Sequence, residues 1–374
     1  MMSTKQFASL KGLAKNIRDS LGTSDTPDTK NYFLLFAYNG TGKTRLSGEF
    51  KDLGKKKVSG SKETTRDTLY YNAFTEDLFT WYNDLYEDTD RRLLFNTDSR
   101  FFDGLRDLEM DTHIREFLRV HVDFDFTINY DEGYVNFSRE VRTREGLETV
   151  SGIKISRGEE NMFIWCFFLA IIQLVKLESL SYDWVKYIYI DDPVSSLDDN
   201  NVVAMACQLA ELLKDCRTKT VISTHHALFF NVMHNELKKE STASRFLSFN
   251  KETGKYIVKN TGDTPFFHHI ALIKELKRAA DSGKIYTYHF NILRNVLEKT
   301  AAFHGFNHFS ACIKWEEDDL DGIIYARIIN LLSHGNHSVF QPIEMVADNK
   351  ALFRKALAGF LETYKFNDDL FTEE

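Results

Sequence analysis

The hydrophobic pattern of the chain changes character near residue 262. Upstream, short apolar runs such as residues 32–37 and 187–190 alternate with stretches of helical period, which is typical of an α/β fold. Downstream, almost every apolar position follows a helical period. A polar stretch with two glycines precedes Pro265 and separates the two patterns. The sequence therefore predicts an α/β domain over residues 1–262 and an all-α domain over residues 263–374.

The most apolar segment, residues 162–175, is interrupted by Gln173. It is shorter than the roughly 18 to 20 apolar residues of a membrane span, so we interpret it as a buried helix. The four cysteines form no CxxC pair, which indicates neither a zinc cluster nor a disulfide framework. The N-terminus has no signal-peptide pattern, so we expect a cytoplasmic protein with no membrane partner. The net charge of −8 argues against indiscriminate coating of nucleic acid, so any nucleic-acid site must be local.

The segment YNGTGKT at residues 38–44 follows an apolar run and resembles a phosphate-binding loop. Glycines let backbone N–H groups approach phosphate oxygens, while a lysine and a threonine hydroxyl serve the phosphates and Mg²⁺. The residues assigned to ATP or GTP and to Mg²⁺ are Asn39, Gly40, Gly42, Lys43 and Thr44. Ala37 stands where the usual pattern begins with glycine, so the match lies at the GKT end of the motif.

A second apolar run ends in two carboxylates, Asp191 and Asp192. Asp191 is placed to hold Mg²⁺, and Asp192 stands where ABC-type ATPases usually carry the glutamate that activates water. The shorter side chain of Asp192 predicts slow hydrolysis, which suits a timer better than a motor. Asp198 resembles the D-loop residue that links two nucleotide sites. His225, rather than its neighbour His226, resembles the switch histidine that senses the γ-phosphate.

Between these motifs, ISRGEEN at residues 155–161 resembles the ABC signature. In that interpretation Ser156 and Gly158 open a helix whose N-terminus receives the γ-phosphate held by a second copy. Ser156 and Glu159 also have the spacing of a capping box, which is the favoured interpretation for the segment alone. Its place between the phosphate loop and the Asp191 strand favours the signature, and with it a homodimer or higher homo-oligomer.

No glutamine lies between Arg45 and Ile155, so no residue takes the usual Q-loop position. The aromatic block at residues 71–79 contains Asn72 and Glu76, either of which could take that place near the metal. A packed aromatic turn is an equally good interpretation of the block.

Four groups in the helical domain suit cleavage of RNA without a metal. Arg294 and Glu298 are four residues apart on one helical face, and Arg327 and His334 are seven apart on another. The reaction needs proton carriers and cations that stabilise the phosphorane. His334, with His337 as a less well spaced alternative, suits proton transfer near neutral pH. The two arginines can stabilise the negative charge of the phosphorane, and Glu298 either orients an arginine or carries the second proton. An Arg and a Glu four residues apart on a helix, however, commonly form only a surface salt bridge.

The blocks YNGTGKTRLS, YNAFTEDLF, YIYIDDPVSSLDDN and LRNVLEKTA, with RIIN and a later SH, resemble PrrC-type anticodon nucleases over residues 30–340. The resemblance implies an α/β ABC-type P-loop ATPase domain followed by an all-α HEPN-like domain. It implies attack by a 2′-hydroxyl in the anticodon loop of a tRNA, typically tRNA-Lys, leaving a 2′,3′-cyclic phosphate and a 5′-hydroxyl. It also implies a catalytic triad at Arg294, Glu298 and His334, nucleotide control, a toxin used against phage, and a restriction-modification complex as silencing partner.

Three rival interpretations stay open. The helical domain could bind RNA or a partner without cutting, and a transporter ATPase could use it for regulation, although no coupling partner is evident. An SMC-like DNA-repair ATPase carries the same motifs. It is disfavoured because only about 110 residues separate Thr44 from Ser156 and no sustained heptads predict a long coiled coil.

Overall fold

The structure is a computed structural model. It describes residues 4–22, 29–57, 64–72, 78–83, 91–96, 102, 110–143, 146–194, 199–214, 216–250, 253–261, 267–313, 329 and 344–366. The chain divides into two compact units, Met1–Pro265 and Phe266–Glu374. The strands are β1 (Thr4–Phe7), β2 (Tyr32–Ala37), β3 (Lys56–Lys57), β4 (Thr64–Thr65), β5 (Thr68–Tyr71), β6 (Phe79–Asn83), β7 (Arg91–Phe95), β8 (Phe124–Asn129), β9 (Tyr134–Thr143), β10 (Gly146–Ser151), β11 (Tyr187–Asp191), β12 (Lys219–Thr224), β13 (Thr242–Asn250) and β14 (Lys255–Asn260). The helices are α1 (Leu10–Leu21), α2 (Lys43–Leu53), α3 (Met110–Leu118), α4 (Arg157–Lys176), α5 (Asp199–Lys214), α6 (Ala227–Leu237), α7 (Phe267–Ser282), α8 (Thr287–Phe303) and α9 (Ala347–Thr363).

The main sheet of the first unit has the strand order β1-β14-β13-β2-β12-β11-β5. Strands β13, β2, β12, β11 and β5 pair in parallel, and β14 and β1 add an antiparallel edge. Every residue of β2 and of β11 is buried, as expected for strands covered on both faces. The carboxyl ends of β2, β12, β11 and β5 therefore lie at one edge of the sheet, and the segments that follow these strands meet there.

One ion pair ties helices α1 and α2 to this sheet. Arg18 in α1 donates two hydrogen bonds of 2.9 Å to the carboxylate of Asp67, just before β5, and one of 3.0 Å to the carbonyl of Phe50 in α2. Its guanidinium also lies over the rings of Phe50 and Tyr187, at 4.3 and 4.6 Å from their centroids. Burial acts to raise the pKa of Asp67, but hydrogen bonds from Arg18 and Thr68 hold it below its ordinary value.

Helix α4 forms the core of the first unit. All its residues from 162 to 172 are buried, because Phe163 packs against Phe126 and Phe137 while Trp165 packs against Tyr71 of β5. Within the described ranges it is the helix that is long and apolar enough to cross a membrane, and 78% of its apolar window is buried. A helix that is apolar on every side needs protein on every side, so the prediction of a buried helix is confirmed.

The first unit also contains a second sheet that the sequence patterns missed. Strands β6 to β10 form an antiparallel sheet in the order β10-β9-β7-β6, and β8 also pairs with β9. Strand β8 alternates buried and exposed residues over only its first four positions, and every residue of β10 is exposed, so the alternation in the sequence is a weak signal. This sheet lies in sequence between the phosphate loop and Ser156, and its aromatic residues pack on α4.

The described part of the second unit consists of α7, α8, α9 and a short 3-10 helix, Phe309–Cys312. They share one apolar core that includes Leu276, Phe290 and Phe360. His289 belongs to that core: it is 1% exposed, and its Nδ1 accepts a 2.9 Å hydrogen bond from the backbone N–H of Tyr286.

The Arg18–Asp67 pair predicts opposite effects for two alanine substitutions. A Cβ at Gly54 would lie 1.8 Å from Oδ1 of Asp67 and 2.7 Å from Nη2 of Arg18, so Gly54→Ala must displace the pair. We expect it to lower the free energy of unfolding by about 1–3 kcal/mol. Gly48→Ala, whose Cβ meets nothing within 4 Å, should raise it by about 0.5–1 kcal/mol because glycine inside a helix is costly.

Urea denaturation followed by tryptophan emission, to which the buried Trp165 of α4 contributes, measures both effects. Because the pKa of Asp67 is depressed in the folded state, its contribution is present above the unfolded value and lost as pH falls through the folded one. The cost of Gly54→Ala should therefore shrink in acid. An equal effect of the two substitutions, or a cost of Gly54→Ala that does not change with pH, would contradict this account.

Candidate functional site

The phosphate loop is the turn between the end of β2 at Ala37 and the start of α2 at Lys43. Gly40 and Gly42 have φ of +79° and +103°, in the left-handed region that favours glycine. Gly42 is also the N-cap residue of α2, so the first N–H groups of that helix border the loop, an arrangement that binds anions. The five residues predicted from the sequence for phosphate and Mg²⁺ thus form one continuous turn and helix start.

The ammonium group of Lys43 reaches back over this loop and is 6% exposed. It donates hydrogen bonds of 3.1 Å to the carbonyl of Ala37 and 3.2 Å to Oδ1 of Asn39. It also lies 3.5 Å from Oδ2 of Asp192. A lysine held among oxygen acceptors at this position can exchange them for the β- and γ-phosphate oxygens of a nucleotide.

Asp191 is the last residue of β11, and its carboxylate is 1% exposed. Ser223 donates a 2.5 Å hydrogen bond to Oδ1, and Ser47 lies 3.5 Å from Oδ2. Burial raises the pKa of this carboxyl, while hydrogen bonds from Ser223 and Thr44 act in the opposite direction. A cation would favour the charged form. The carboxylate and the Thr44 hydroxyl supply the oxygen donors that Mg²⁺ prefers, so these residues fit that ion.

Asp192 links the phosphate loop to the segment after β12. Its φ is +55°, and its backbone N–H donates a 2.7 Å hydrogen bond to the carbonyl of Ser223. Its carboxylate lies 2.6 Å from Nδ1 of His225. His226 instead caps α6, where its Nδ1 accepts the N–H of Phe229. The structure therefore brings Asp192 together with Lys43 and His225. Of the two adjacent histidines, His225 is the one that the sequence analysis compares with the switch histidine.

The sequence analysis missed a polar connection to the end of β5. The hydroxyl of Tyr70 lies 2.7 Å from Oγ of Ser47 and accepts a 2.9 Å hydrogen bond from Nδ2 of Asn72. Asn72, one candidate for the Q-loop position, is thus connected through Tyr70 and Ser47 to Asp191. Glu76, the other candidate, lies outside the described residues. Ser47 could have been found from the sequence, because it lies one turn after Thr44 in the same helix.

Ser156 caps the start of α4, and the capping box considered as an alternative is formed. Its Oγ accepts the N–H of Glu159 at 3.3 Å, and Oε2 of Glu159 accepts the N–H of Ser156 at 2.7 Å. A Cβ at Gly158 would meet nothing within 4 Å. A capped helix start beside open space remains compatible with the signature role, which stays a prediction. Asp198, predicted for the D-loop, lies outside the described residues.

In the second unit the structure places two of the four predicted nuclease residues. Nε of Arg294 donates a 2.7 Å hydrogen bond to Oε1 of Glu298 across one turn of α8. Their side chains are 25% and 45% exposed, so both groups are accessible to a ligand. Arg327 and His334, together with the alternative His337, lie outside the described residues.

A parallel sheet with a phosphate loop and paired carboxylates at its carboxyl edge defines a P-loop ATPase. The family model described as "AAA domain" matches residues 121–362, and the chain belongs to that family. The chain is also 36% identical over 343 residues to the "Anticodon nuclease" of Escherichia coli, an alignment that covers 83% of this chain and 84% of that protein. The chain belongs to the anticodon nuclease family.

Among solved structures, the chain is similar to SMC head domains. The Smc head domain with a coiled coil and joint from Pyrococcus yayanosii is 16% identical, with a TM-score of 0.27, over 39% of this chain and 26% of that one. The SMC head domain from Thermotoga maritima is 12% identical, with a TM-score of 0.31, over 61% of this chain and 89% of that one. The chain thus spans about a quarter of the first of these structures, and scores at this level carry no argument about its fold.

Because the carboxylate of Asp191 is buried, we expect Asp191→Asn to increase the stability of the fold while it abolishes nucleotide binding. The substitution keeps the shape of the side chain but removes an ionisable carboxyl group, whose pKa is raised by burial. We expect the nucleotide-free variant to unfold at a higher urea concentration than the wild type at neutral pH, and its Mg²⁺-dependent nucleotide binding to be lost.

The pH dependence gives an internal check on that prediction. Since the folded pKa is raised, the stability that the protonated form contributes is fully present below the unfolded pKa and is lost as pH rises through the folded value. The advantage of the variant should therefore grow with pH across that window and then level off. A variant less stable than wild type at every pH, or one that retains Mg²⁺-dependent binding measured by calorimetry, would contradict the assignment.

Proposed function

We propose that this protein is a nucleotide-controlled endoribonuclease that cuts tRNA in the anticodon loop, with tRNA-Lys as the expected substrate. The observation that carries the proposal is the 36% identity with the anticodon nuclease of Escherichia coli over 343 residues. The Arg294–Glu298 contact of 2.7 Å adds a geometric argument, because it holds a cation and a carboxylate together on an accessible helix face. On the same basis we propose a HEPN-like fold for the second unit and a cytoplasmic toxin of antiviral defence, with a restriction-modification complex as silencing partner.

The proposed cleavage requires no metal. The 2′-oxygen attacks the adjacent phosphorus and loses its proton to a base, and the bond to the 5′-oxygen breaks as an acid protonates that oxygen. The products are a 2′,3′-cyclic phosphate and a 5′-hydroxyl. In this scheme His334 transfers one of the two protons and water the other, and Arg294 and Arg327 stabilise the charge on the phosphorane.

Glu298 has two candidate roles, and its contact with Arg294 favours one of them. The carboxylate accepts the Nε–H of Arg294 at 2.7 Å, which fixes the plane of the guanidinium. A guanidinium held in this way presents a fixed array of donors to phosphate oxygens. We therefore assign Glu298 the positioning of Arg294, rather than the transfer of the second proton.

Two substitutions at Glu298 distinguish these roles. Glu298→Gln keeps an oxygen that accepts the Nε–H, so we expect kcat for an anticodon stem-loop to fall about tenfold, whereas Glu298→Ala should fall by about 10²-fold or more. A proton carrier would instead make the two variants equally inactive. Arg278→Ala, which removes an exposed ion-pair partner of Glu275 on α7, is the matched control and should leave kcat unchanged.

We further propose that ATP or GTP with Mg²⁺ is held between Lys43 of one copy and Ser156 of a second, so that closure of a homodimer controls the nuclease. Support comes from the phosphate loop around Lys43 and from the open space beside Gly158 at the start of α4. When bound, the metal neutralises charge on the β- and γ-phosphates. Asp192 lies 3.5 Å from Lys43 and 2.6 Å from His225, and these contacts support our assignment of water activation to it.

Gly158→Asp tests this arrangement without disturbing the fold. Its side chain enters open space, and an acid in the first turn of a helix is favourable, so we expect an unchanged melting temperature. The added carboxylate would repel the γ-phosphate of the second copy. Dimer formation with Mg²⁺ and a non-hydrolysable nucleotide, measured by light scattering, should be lost, as it should in Lys43→Ala. Gly158→Ala adds only a methyl group and is the control, which should dimerise like the wild type. A Gly158→Asp variant that also dimerises like the wild type would contradict the proposal.

A further inference from the structure

The helix that carries Arg294 and Glu298 ends in a group of exposed aromatic rings. Phe303, the last residue of α8, is 88% exposed and Phe306 is 43% exposed. The ring of His304 lies between them, 5.5 Å from Phe303 and 6.0 Å from Phe306, and the pair with Phe306 is nearly parallel at 19°. The ring of Tyr364, just after α9, also packs against His304, with 5.1 Å between their centroids. We call Phe303, His304 and Phe306 the aromatic platform.

The backbone fixes the platform in place. The N–H of Phe306 donates to the carbonyl of Ala301 at 2.8 Å, and the N–H of Gly305 donates to Ala302 at 3.2 Å, which is the Schellman pattern of a helix end. Gly305 has a φ of +73°, the left-handed conformation that this pattern requires. The chain therefore turns back at Gly305 and brings Phe306 over His304. A platform held by backbone hydrogen bonds loses little freedom when a ligand stacks on it.

Single exposed apolar side chains are common, but Phe303 and Phe306 are exposed together at one helix end and form a patch that a ligand with an apolar face can cover. Unpaired RNA bases are recognised by stacking on Phe, Tyr, Trp or His rings, whereas duplex RNA hides its base faces. Lys299 lies one turn before Phe303 on the same helix face, and Lys365 follows Tyr364; both are exposed. Cations beside stacked bases suit the phosphates that join them. Phe303 lies five residues beyond Glu298, about 7.5 Å along the helix axis and about 140° around it, so an RNA strand that contacts both must also turn around the helix.

We propose that the aromatic platform binds unpaired bases of the RNA substrate by stacking, and so positions the scissile strand along α8. This inference rests on the proposed function, because it supplies a substrate-binding surface for the same nuclease. Phe303 offers the most exposed ring, and the nearly parallel pair of His304 and Phe306 offers a second stacking face beside it.

The test separates binding from cleavage. The probe is a synthetic anticodon stem-loop whose loop 2′-hydroxyls are methylated, which prevents 2′-oxygen attack, and which carries 2-aminopurine at single loop positions. Affinity is measured by fluorescence anisotropy, and stacking by quenching of 2-aminopurine. Wild type, Phe303→Leu and Phe303→Tyr are compared with Phe249→Leu, which alters an exposed phenylalanine of β13 in the first unit.

Removal of the ring should weaken binding and abolish the stacking signal together. We expect Phe303→Leu to bind the stem-loop about tenfold more weakly and to lose quenching at one or more loop positions, since stacking on an aromatic ring is worth a factor of this order. Phe303→Tyr should keep both properties, and Phe249→Leu should match the wild type. A duplex without a loop should bind wild type and Phe303→Leu equally.

Other outcomes overturn the inference in distinguishable ways. If Phe303→Leu binds and quenches like the wild type while the wild type still cuts unmodified stem-loop, the platform does not bind bases and the proposed function stands. If Phe303→Leu changes the molecular mass in solution but not the RNA affinity, the platform contacts a second copy instead. If wild type neither binds nor cuts the stem-loop, the proposed function itself fails.

Discussion

The parallel pairing of β5, β11, β12 and β2 is the constraint on which the rest of the first unit depends. Each strand delivers its following residues to the same edge of the sheet, so Lys43, Asp191 and His225 come together although they are far apart in sequence. The register is fixed because these strands are buried on both faces, and a shift of one residue would turn every side chain to the opposite face. The sheet therefore determines the geometry of the nucleotide site before any ligand is bound.

At the carboxyl edge of this sheet, a buried charged group lowers the stability of the fold but is available to bind Mg²⁺. A carboxylate that is 1% exposed would be easier to bury as a neutral side chain, and its raised pKa expresses that cost. The surrounding hydroxyls and Lys43 keep it usable as a ligand for Mg²⁺. Asp192, at a positive φ of 55°, contacts both the lysine of the phosphate loop and the histidine that follows β12. The same few residues thus connect the phosphate loop, the end of β11 and the segment that follows β12.

Much of this site could be predicted from the sequence because its signals are local. A glycine-lysine turn after an apolar run fixes the phosphate loop, and an apolar run that ends in Asp191 and Asp192 fixes the metal edge. The choice of His225 over His226 rests on a resemblance to the switch histidine of ABC-type ATPases. The second sheet, the contact of Tyr70 with Ser47 and the packing of Tyr364 on His304 depend on contacts between distant segments, for which local patterns give at most a weak signal. At Ser156 the structure forms the capping box that the spacing allows, and the signature role stays a prediction.

The most direct test of the central claim is to incubate the purified protein with total bacterial tRNA, with and without ATP or GTP and Mg²⁺, and to map the new ends. A His334→Ala variant provides the matched control. The account predicts cuts in the anticodon loop that bear a 2′,3′-cyclic phosphate and a 5′-hydroxyl, depend on the nucleotide state and disappear in the variant. Intact tRNA in every nucleotide state, from a protein that still hydrolyses nucleotide, would contradict it and would make the second unit a binding domain.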